Sequence, residues 1–400
     1  MTTEIIIAIC GLILLAYLFD VTVSITRIPS VILLLIVGWS VRQLTILLQI
    51  PMPDIAQVLP VIGTVGLILI VLEGSLELEL SRSKLGVISK TITISLLSVM
   101  VFSLGLAFVF QYFSGVSLKI ALVNAIPFAV ISSAIAIPTA QKFLSKDREF
   151  ITYESSFSDI IGVILFNFLI LNETIGLVSV GQFLLEMTLI LLITLVTTLL
   201  LALLLGKLKH HVKYLPIIVL IVLIYSLSKL YHLPALIIIL LFGLFLGNLN
   251  KFRRFGFISR LHPDGMTHDV HKFRDLTVEI AFLVRVLFFL LFGYQIQTSD
   301  LINLETLVWA LGISLGIYGI RYGLLLLYKV KSPAVFFTAP RGLITILLFL
   351  SIPASQVVPP VSNSLIIQVI LISAMMLMIG MIGNGGKEKE RLEVEPSGKN

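Results

Sequence analysis

The chain has 400 residues, of which 58% are hydrophobic and 12% charged, and its mean hydropathy is +1.09. A soluble globular chain is nearer a quarter charged, so the composition excludes an ordinary water-soluble domain. The formal net charge of +6 would suit a nucleic-acid binder, but the basic residues are spread over the loops between apolar segments, which reads as no nucleic acid.

A hydrocarbon core about 30 Å thick takes about 20 apolar residues per helix, and lipid leaves the backbone no other open α-rich arrangement. The chain therefore reads as an all-α polytopic membrane protein with thirteen helical segments: 4–23, 29–48, 57–76, 86–112, 118–142, 152–171, 180–206, 214–230, 233–248, 275–297, 303–327, 333–352 and 362–383. The first has no basic residue ahead of it and no small-residue cleavage site, so it is expected to be a retained helix. Cys10, the one cysteine, lies inside it and reads as a small packing residue.

With the N-terminus outside, the inward loops carry Arg27; Arg82, Lys84 and Lys90; Lys142, Lys146 and Arg148; Lys207, Lys209 and Lys213; the basic run from Lys251 to Arg274; and Lys329 with Lys331. The outward loops carry little beyond Arg42, Lys119 and Lys229. This positive-inside pattern sets a cytoplasmic C-terminal tail, 386–400, polar and read as disordered, and the expected location is the plasma membrane. The loop 249–274 holds His262, His268 and His271, read as a solvated cytoplasmic loop rather than a metal site.

An internal repeat runs through these segments. "RIPSVILLLIVG" (27–38) matches "HLPALIIILLFG" (232–243), and "LEGSLELEL" (72–80) matches "LFGYQIQTSDL" (291–301). The shift is seven helices, an odd number, so the halves are inverted: repeat one over about 4–171, a linker helix over about 180–206, repeat two over about 214–383. Inverted repeats are common in secondary transporters, whose sites lie at the repeat interface near the midplane.

Ionisable groups in lipid cost a few kcal/mol each, so the ones that cannot reach the interface need a reason. They are Glu73, Glu154, Asp159, Arg285 and Arg341. Rising about 1.5 Å per residue, Asp159 lies roughly 10 Å and Arg341 roughly 12 Å in from the cytoplasmic side, so that they can share one layer with Glu73. Ser155 and Asp159 are i,i+4 on one face of the sixth helix, a hydroxyl and a carboxylate placed for a hard cation. Glu154 is about 140° round the helix from Asp159 and needs its own partner, for which Arg341 is the candidate. The fifth helix, "NAIPFAVISSAIAIPTAQKFL", carries Pro127 and Pro138 around Ser132 and Ser133, and the twelfth carries Pro340 and Gly342 around Arg341. Two interrupted helices in corresponding positions point to a transport site.

"RIPSVILLLIVG", "LEGSLELEL", "ESSFSD" (154–159) and "PRG" (340–342) before an apolar run, in that order, resemble the monovalent cation:proton antiporter family, the sodium/proton exchangers. The resemblance implies a dimerisation domain, a core domain with two crossed broken helices, a homodimer, and elevator-like exchange of Na⁺, Li⁺ or K⁺ for H⁺, with no cofactor. Carried over, Asp159 binds cation or proton in turn, with Ser155 as a ligand and Glu73 as a second carboxylate near the monovalent cation. Ser132, Ser133 and Ser158 join that polar set, and Glu154 with Arg341 forms a structural ion pair. The family's asparagine before the key aspartate is Ser158 here, and its fifth-helix Thr-Asp-Pro is absent, with Ser132, Ser133 and Ala134 near that place. A regulatory or channel-like protein on the same scaffold, and an organic-anion symporter, are the alternatives. An enzyme is disfavoured by the lack of a His-Glu-x-x-His motif and of a phosphate-binding loop.

Overall fold

Every one of the thirteen predicted segments carries helix among the residues that the computed structural model describes, which are 2–49, 58–78, 81–172, 192–201, 214–230, 236–249 and 263–394, with 181, 185 and 188 singly. The helices are α1 (Thr2–Thr26), α2 (Ser30–Leu47), α3 (Val58–Glu77), α4 (Leu85–Ser114), α5 (Leu118–Ala129), α6 (Ser133–Ala140), α7 (Ser145–Leu171), α8 (Leu192–Leu201), α9 (Tyr214–Leu230), α10 (Leu236–Gly247), α11 (Pro263–Gln295), α12 (Thr298–Ile302), α13 (Leu304–Leu327), α14 (Pro333–Phe337), α15 (Leu343–Leu350) and α16 (Asn363–Val394). The fifth and twelfth predicted segments are each two helices, α5 with α6 and α14 with α15.

Three helices outrun the hydropathy pattern. α7 begins at Ser145 rather than 152, α11 at Pro263 rather than 275, and α16 continues to Val394 rather than stopping at 383. Their extra turns are polar. The run "KEKERLE" (387–393) is made of strong helix formers, so the predicted disordered tail is helical as far as Val394. His268 and His271 thus stand on the early turns of α11, exposed, while His262 lies outside the described residues. Among the described residues no three His, Cys, Asp or Glu side chains form a metal-binding group. Cys10 is exposed on α1, not packed inside as its apolar setting suggested.

The repeat glycines act at close helix crossings. A Cβ on Gly38 of α2 would come within 2.3 Å of the Leu290 carbonyl oxygen of α11. A Cβ on Gly243 of α10 would come within 2.7 Å of the Ser75 Cβ of α3. So α2 packs on α11 and α10 on α3, each first-repeat helix against its second-repeat counterpart's neighbour, the exchange expected of inverted repeats. The span 118–140 is the most enclosed, with 89% of its apolar window buried. Irregular backbone at membrane depth is tolerated only inside protein or along a cavity, and this enclosure is what allows α5 and α6 to separate. Lipid-facing apolar side chains such as Met100, Phe108, Leu311 and Leu315 line the outer faces of α4 and α13.

Candidate ion-binding site

Two interrupted helices cross at their breaks. α5 stops at Ala129, where the β-branched pair Val130 and Ile131 takes an extended path, and α6 starts at Ser133. Three consecutive amides there find partners outside the helices. Ile131 N donates to Ser158 Oγ at 2.9 Å, Ser132 N to the Pro340 carbonyl at 2.8 Å, and Ser133 N to Asp159 Oδ2 at 3.4 Å. On the other strand of the crossing, Pro340 disfavours helix at Ala339, so α14 ends at Phe337. Arg341 N then donates to Ser373 Oγ at 2.9 Å, and Gly342 N to Thr345 Oγ1 at 3.4 Å. Gly342 sits close to the other break, where a Cβ would lie 2.7 Å from Ile135 Cδ1 and 3.1 Å from Ser132 Oγ.

The helix ends at the breaks expose carbonyls, and a helix C-terminus carries partial negative charge. Two buried arginines cover them. Arg341 donates from Nε to the Phe128 carbonyl at 2.6 Å, from Nη2 to Ala129 at 3.2 Å and from Nη1 to Ala339 at 2.7 Å. Arg321, on α13, donates from Nε to Phe336 at 2.9 Å and from Nη2 to Val335 at 2.6 Å and Thr338 at 3.1 Å.

The partner of Glu154 is Arg321. The pair is bidentate, Nη1 to Oε1 at 2.7 Å and Nη2 to Oε2 at 2.9 Å, with both side chains 2% exposed or less. The expected Glu154–Arg341 pair is not formed, because Arg341 spends its donors on the carbonyls of its own crossing. Glu154 does diverge from Asp159 round α7 as the spacing required, and it points to α13. Sequence reasoning passed over Arg321: six residues from the end of its segment, it stands where a long basic side chain can reach the interface. A signal was present, since Ser314, Tyr318 and Arg321 fall at i, i+4 and i+7, one polar line on an apolar helix, and all three are buried.

Asp159 is 1% exposed and lies at the α5–α6 break. Its Oδ2 accepts from the Ser133 amide and hydroxyl. Among the described residues its Oδ1 has no hydrogen-bond partner, and neither does Ser132 Oγ. Ser158 is spent on the Ile131 amide. Ser155 is fully buried one turn before Asp159, its hydroxyl donating back to the Thr152 carbonyl at 3.4 Å. The structure thus gathers Ser132, Ser133, Ser158 and Asp159 at one break, with Ser155 one turn away. Glu73 is placed differently: it is buried on α3 and accepts no hydrogen bond among the described residues. Its neighbour Gly74 packs on Ile137 and Ser156, so α3 adjoins the break. A cavity of about 220 Å³ opens between α3 and α11 on one side and α15 and α16 on the other. Ile346 and Phe349 are among its lining residues, Phe349 packs edge-on against Phe128, and Asp159 is not part of the lining.

A family description, "Sodium/hydrogen exchanger, transmembrane", matches residues 10–382. The chain belongs to that family. It is a multi-pass membrane protein of the exchanger family, and its family resemblance in sequence is thereby established over nearly its full length. The fold is that of the sodium proton antiporter MjNhaP1 from Methanocaldococcus jannaschii, in a structure at pH 8 with a TM-score of 0.65, 20% identity and 96% of this chain and 97% of that one covered. An electron-microscopy map of the same antiporter gives a TM-score of 0.65, 21% identity and full coverage of both chains. No curated protein matches the chain.

Proposed function

We propose that this exchanger-family protein moves a monovalent cation (Na⁺, Li⁺ or K⁺) against H⁺ by alternating access, with Asp159 as the shared binding group. The observation that carries the reading is a carboxylate buried at a helix crossing with Oδ1 unbonded, beside a serine hydroxyl that also lacks a partner. An unsatisfied buried oxygen is costly, and a proton or a hard cation relieves it. Carboxylate and hydroxyl oxygens suit hard cations. Ser132, Ser133 and Ser155 are the nearby hydroxyls available to complete such a shell, and Ser158 holds the unwound segment in place.

Exchange at one carboxylate is one-for-one. The fifth-helix acid of the resembling family is absent, and residue 158 is serine, so one carboxylate takes one positive ion and the loaded site is neutral whichever ion fills it. Exchange is therefore electroneutral. Glu154 with Arg321, and Arg341 with its carbonyls, are fixed supports outside this cycle. The protein sits in the plasma membrane as a homodimer with its C-terminal tail in the cytoplasm, following the basic loops. The domain that holds the two crossed broken helices moves elevator-like as a unit against the remaining helices.

The test is proton flux in everted vesicles with a pH-sensitive dye, adding Na⁺, Li⁺ and K⁺ in turn. Cation-dependent flux is expected in the parent protein, and its disappearance in Asp159→Asn while insertion and melting temperature hold. Undiminished exchange in Asp159→Asn rejects the site.

A further inference from the structure

The helix crossings differ in how much motion they allow. At α2–α11 and α10–α3 the glycines meet backbone: a Cβ on Gly293 would lie 2.5 Å from the Leu35 carbonyl oxygen, and one on Gly247 would lie 2.5 Å from that of Leu76. Contacts so close leave no room for one helix to shift on the other. Toward the broken helices and α7, the glycines of α3 meet only the ends of side chains. A Cβ on Gly63 would meet Leu347 Cδ2 at 2.8 Å, one on Gly66 would meet Leu343 Cδ1 at 3.4 Å, and one on Gly74 would meet Ile137 Cδ1 at 2.8 Å and Ser156 Oγ at 3.5 Å. This face of α3 is therefore a seam. On one side lie the locked helices α2, α3, α10 and α11, and on the other the body that carries Asp159. A seam of side-chain ends can slide, as packed helices do in shear motions.

The two ends of the seam are built differently. At the Leu59 end lies the cavity of about 220 Å³, with Leu59 and Phe292 on one side and Ile346 and Phe349 on the other. At the Glu77 end, about 27 Å along α3, a hydrogen bond crosses the seam, Gln141 Nε2 donating to Glu77 Oε2 at 3.2 Å. Each partner is braced from its own side. Arg274 of α11 donates to Glu77 Oε1 at 2.9 Å, and Arg148 of α7 donates to Gln141 Oε1 at 3.4 Å. In this chain of four side chains, the Glu77–Gln141 bond alone joins the two bodies. Gln141 is the C-cap of α6, whose first residue, Ser133, bonds Asp159. One short helix thus connects the bond to the ion site.

We infer that the Glu77–Gln141 bond is a latch, closing the cytoplasmic end of the seam in this conformation and opening once in each transport cycle. This rests on the function and orientation proposed above and assigns a gating pair outside the ion site. The strength of the bond suits the task. A buried bidentate pair such as Glu154–Arg321 holds too firmly to break in every cycle. A bond between a partly exposed carboxylate and an exposed amide shifts a two-state balance by about fivefold, enough to favour one form without trapping it.

The experiment uses purified full-length protein with Cys10 replaced by serine and one reporter cysteine at each end of the seam. Ser156→Cys reports on the Glu77 end, where Ser156 is buried against α3, and Ile346→Cys reports on the cavity. Adding Gln141→Leu should raise the rate of maleimide labelling at Ser156→Cys by about fivefold and lower the rate at Ile346→Cys. A merely structural Gln141 would loosen both ends, so a rise at both, or a change at neither, overturns the inference. If Gln141→Leu does not fold, Gln141→Glu sets a second carboxylate against Glu77 and must give the same reciprocal change. In the vesicle assay, a short bifunctional methanethiosulfonate joining Glu77→Cys to Gln141→Cys should abolish dye-detected flux, and a reductant should restore it. Undiminished flux with the tether complete overturns the latch while leaving the proposed function standing. A parent protein that exchanges no cation sinks the proposed function, and the reciprocal labelling then decides the latch by itself.

Discussion

Removing Arg321 should be the most damaging single change to the buried charge network. Arg321→Met strands Glu154, a carboxylate 1% exposed, and breaking a buried pair costs about 3–5 kcal/mol. It also leaves the carbonyls of Val335, Phe336 and Thr338 without their arginine donor, at about 1 kcal/mol each. The total is roughly 6–8 kcal/mol, enough to threaten folding. Glu154→Gln is gentler. Arg321 keeps its three carbonyls and gains an amide oxygen, so the cost is closer to about 2–3 kcal/mol. Paired with Arg321→Met, Glu154→Gln should show a coupling of about 2 kcal/mol, and a smaller one with Arg341→Met. The assay is thermal or SDS unfolding of purified protein in detergent, run as two double-mutant cycles. The pairing is refuted if Arg321→Met costs no more than Glu154→Gln, or if Glu154 couples to Arg341 more strongly than to Arg321.

Arg341→Lys keeps the charge but cannot bond the Phe128, Ala129 and Ala339 carbonyls together, so flux should fall at least tenfold and hydrogen exchange at the α5–α6 break should rise. Gly38→Ala drives a Cβ to 2.3 Å from a backbone oxygen and should cost roughly 3 kcal/mol by overpacking, whereas Gly319→Ala, with open space around it, should be near neutral or slightly stabilising in the same melts. Solid-supported-membrane recordings should show no sustained current during exchange, and a rate that responds to an imposed potential would reject one-for-one exchange.

The legible parts of this protein are those that lipid enforces. The apolar runs follow from a pattern that a bilayer lets a chain satisfy only as helices, and the paired prolines pointed to both interrupted helices. Boundaries failed where helices leave the membrane, at Ser145, Pro263 and Val394, since hydropathy is silent about a helix in water. The burial of Asp159 at the break was legible, because an acid within a lipid-buried helix is costly unless the protein encloses it. The Glu154–Arg321 pair was not, because pairing is a three-dimensional choice among several arginines. The prolines pointed to the right helices but not to the break itself. Pro127 lies inside α5 and Pro138 inside α6, and the chain unwinds between them, where Arg341 and Ser158 receive the freed backbone groups.

The polar groups at the crossing divide by how much of their bonding is already committed. Arg341 and Arg321 each make three or more bonds to carbonyls, Glu154 is held by two oxygens, and Ser158 and Ser373 each hold an amide. Such groups cannot change partner without unravelling a helix end, so they form the fixed frame of the crossing. Asp159 keeps one oxygen unbonded, and Ser132 keeps its hydroxyl. This combination, a frame rigid enough to hold the break open and one carboxylate whose bonding is unfinished, is what the proposed shared site for cation and proton requires. Of the buried side-chain atoms without a partner among the described residues, Asp159 Oδ1 and Ser132 Oγ are the two at the crossing of the broken helices.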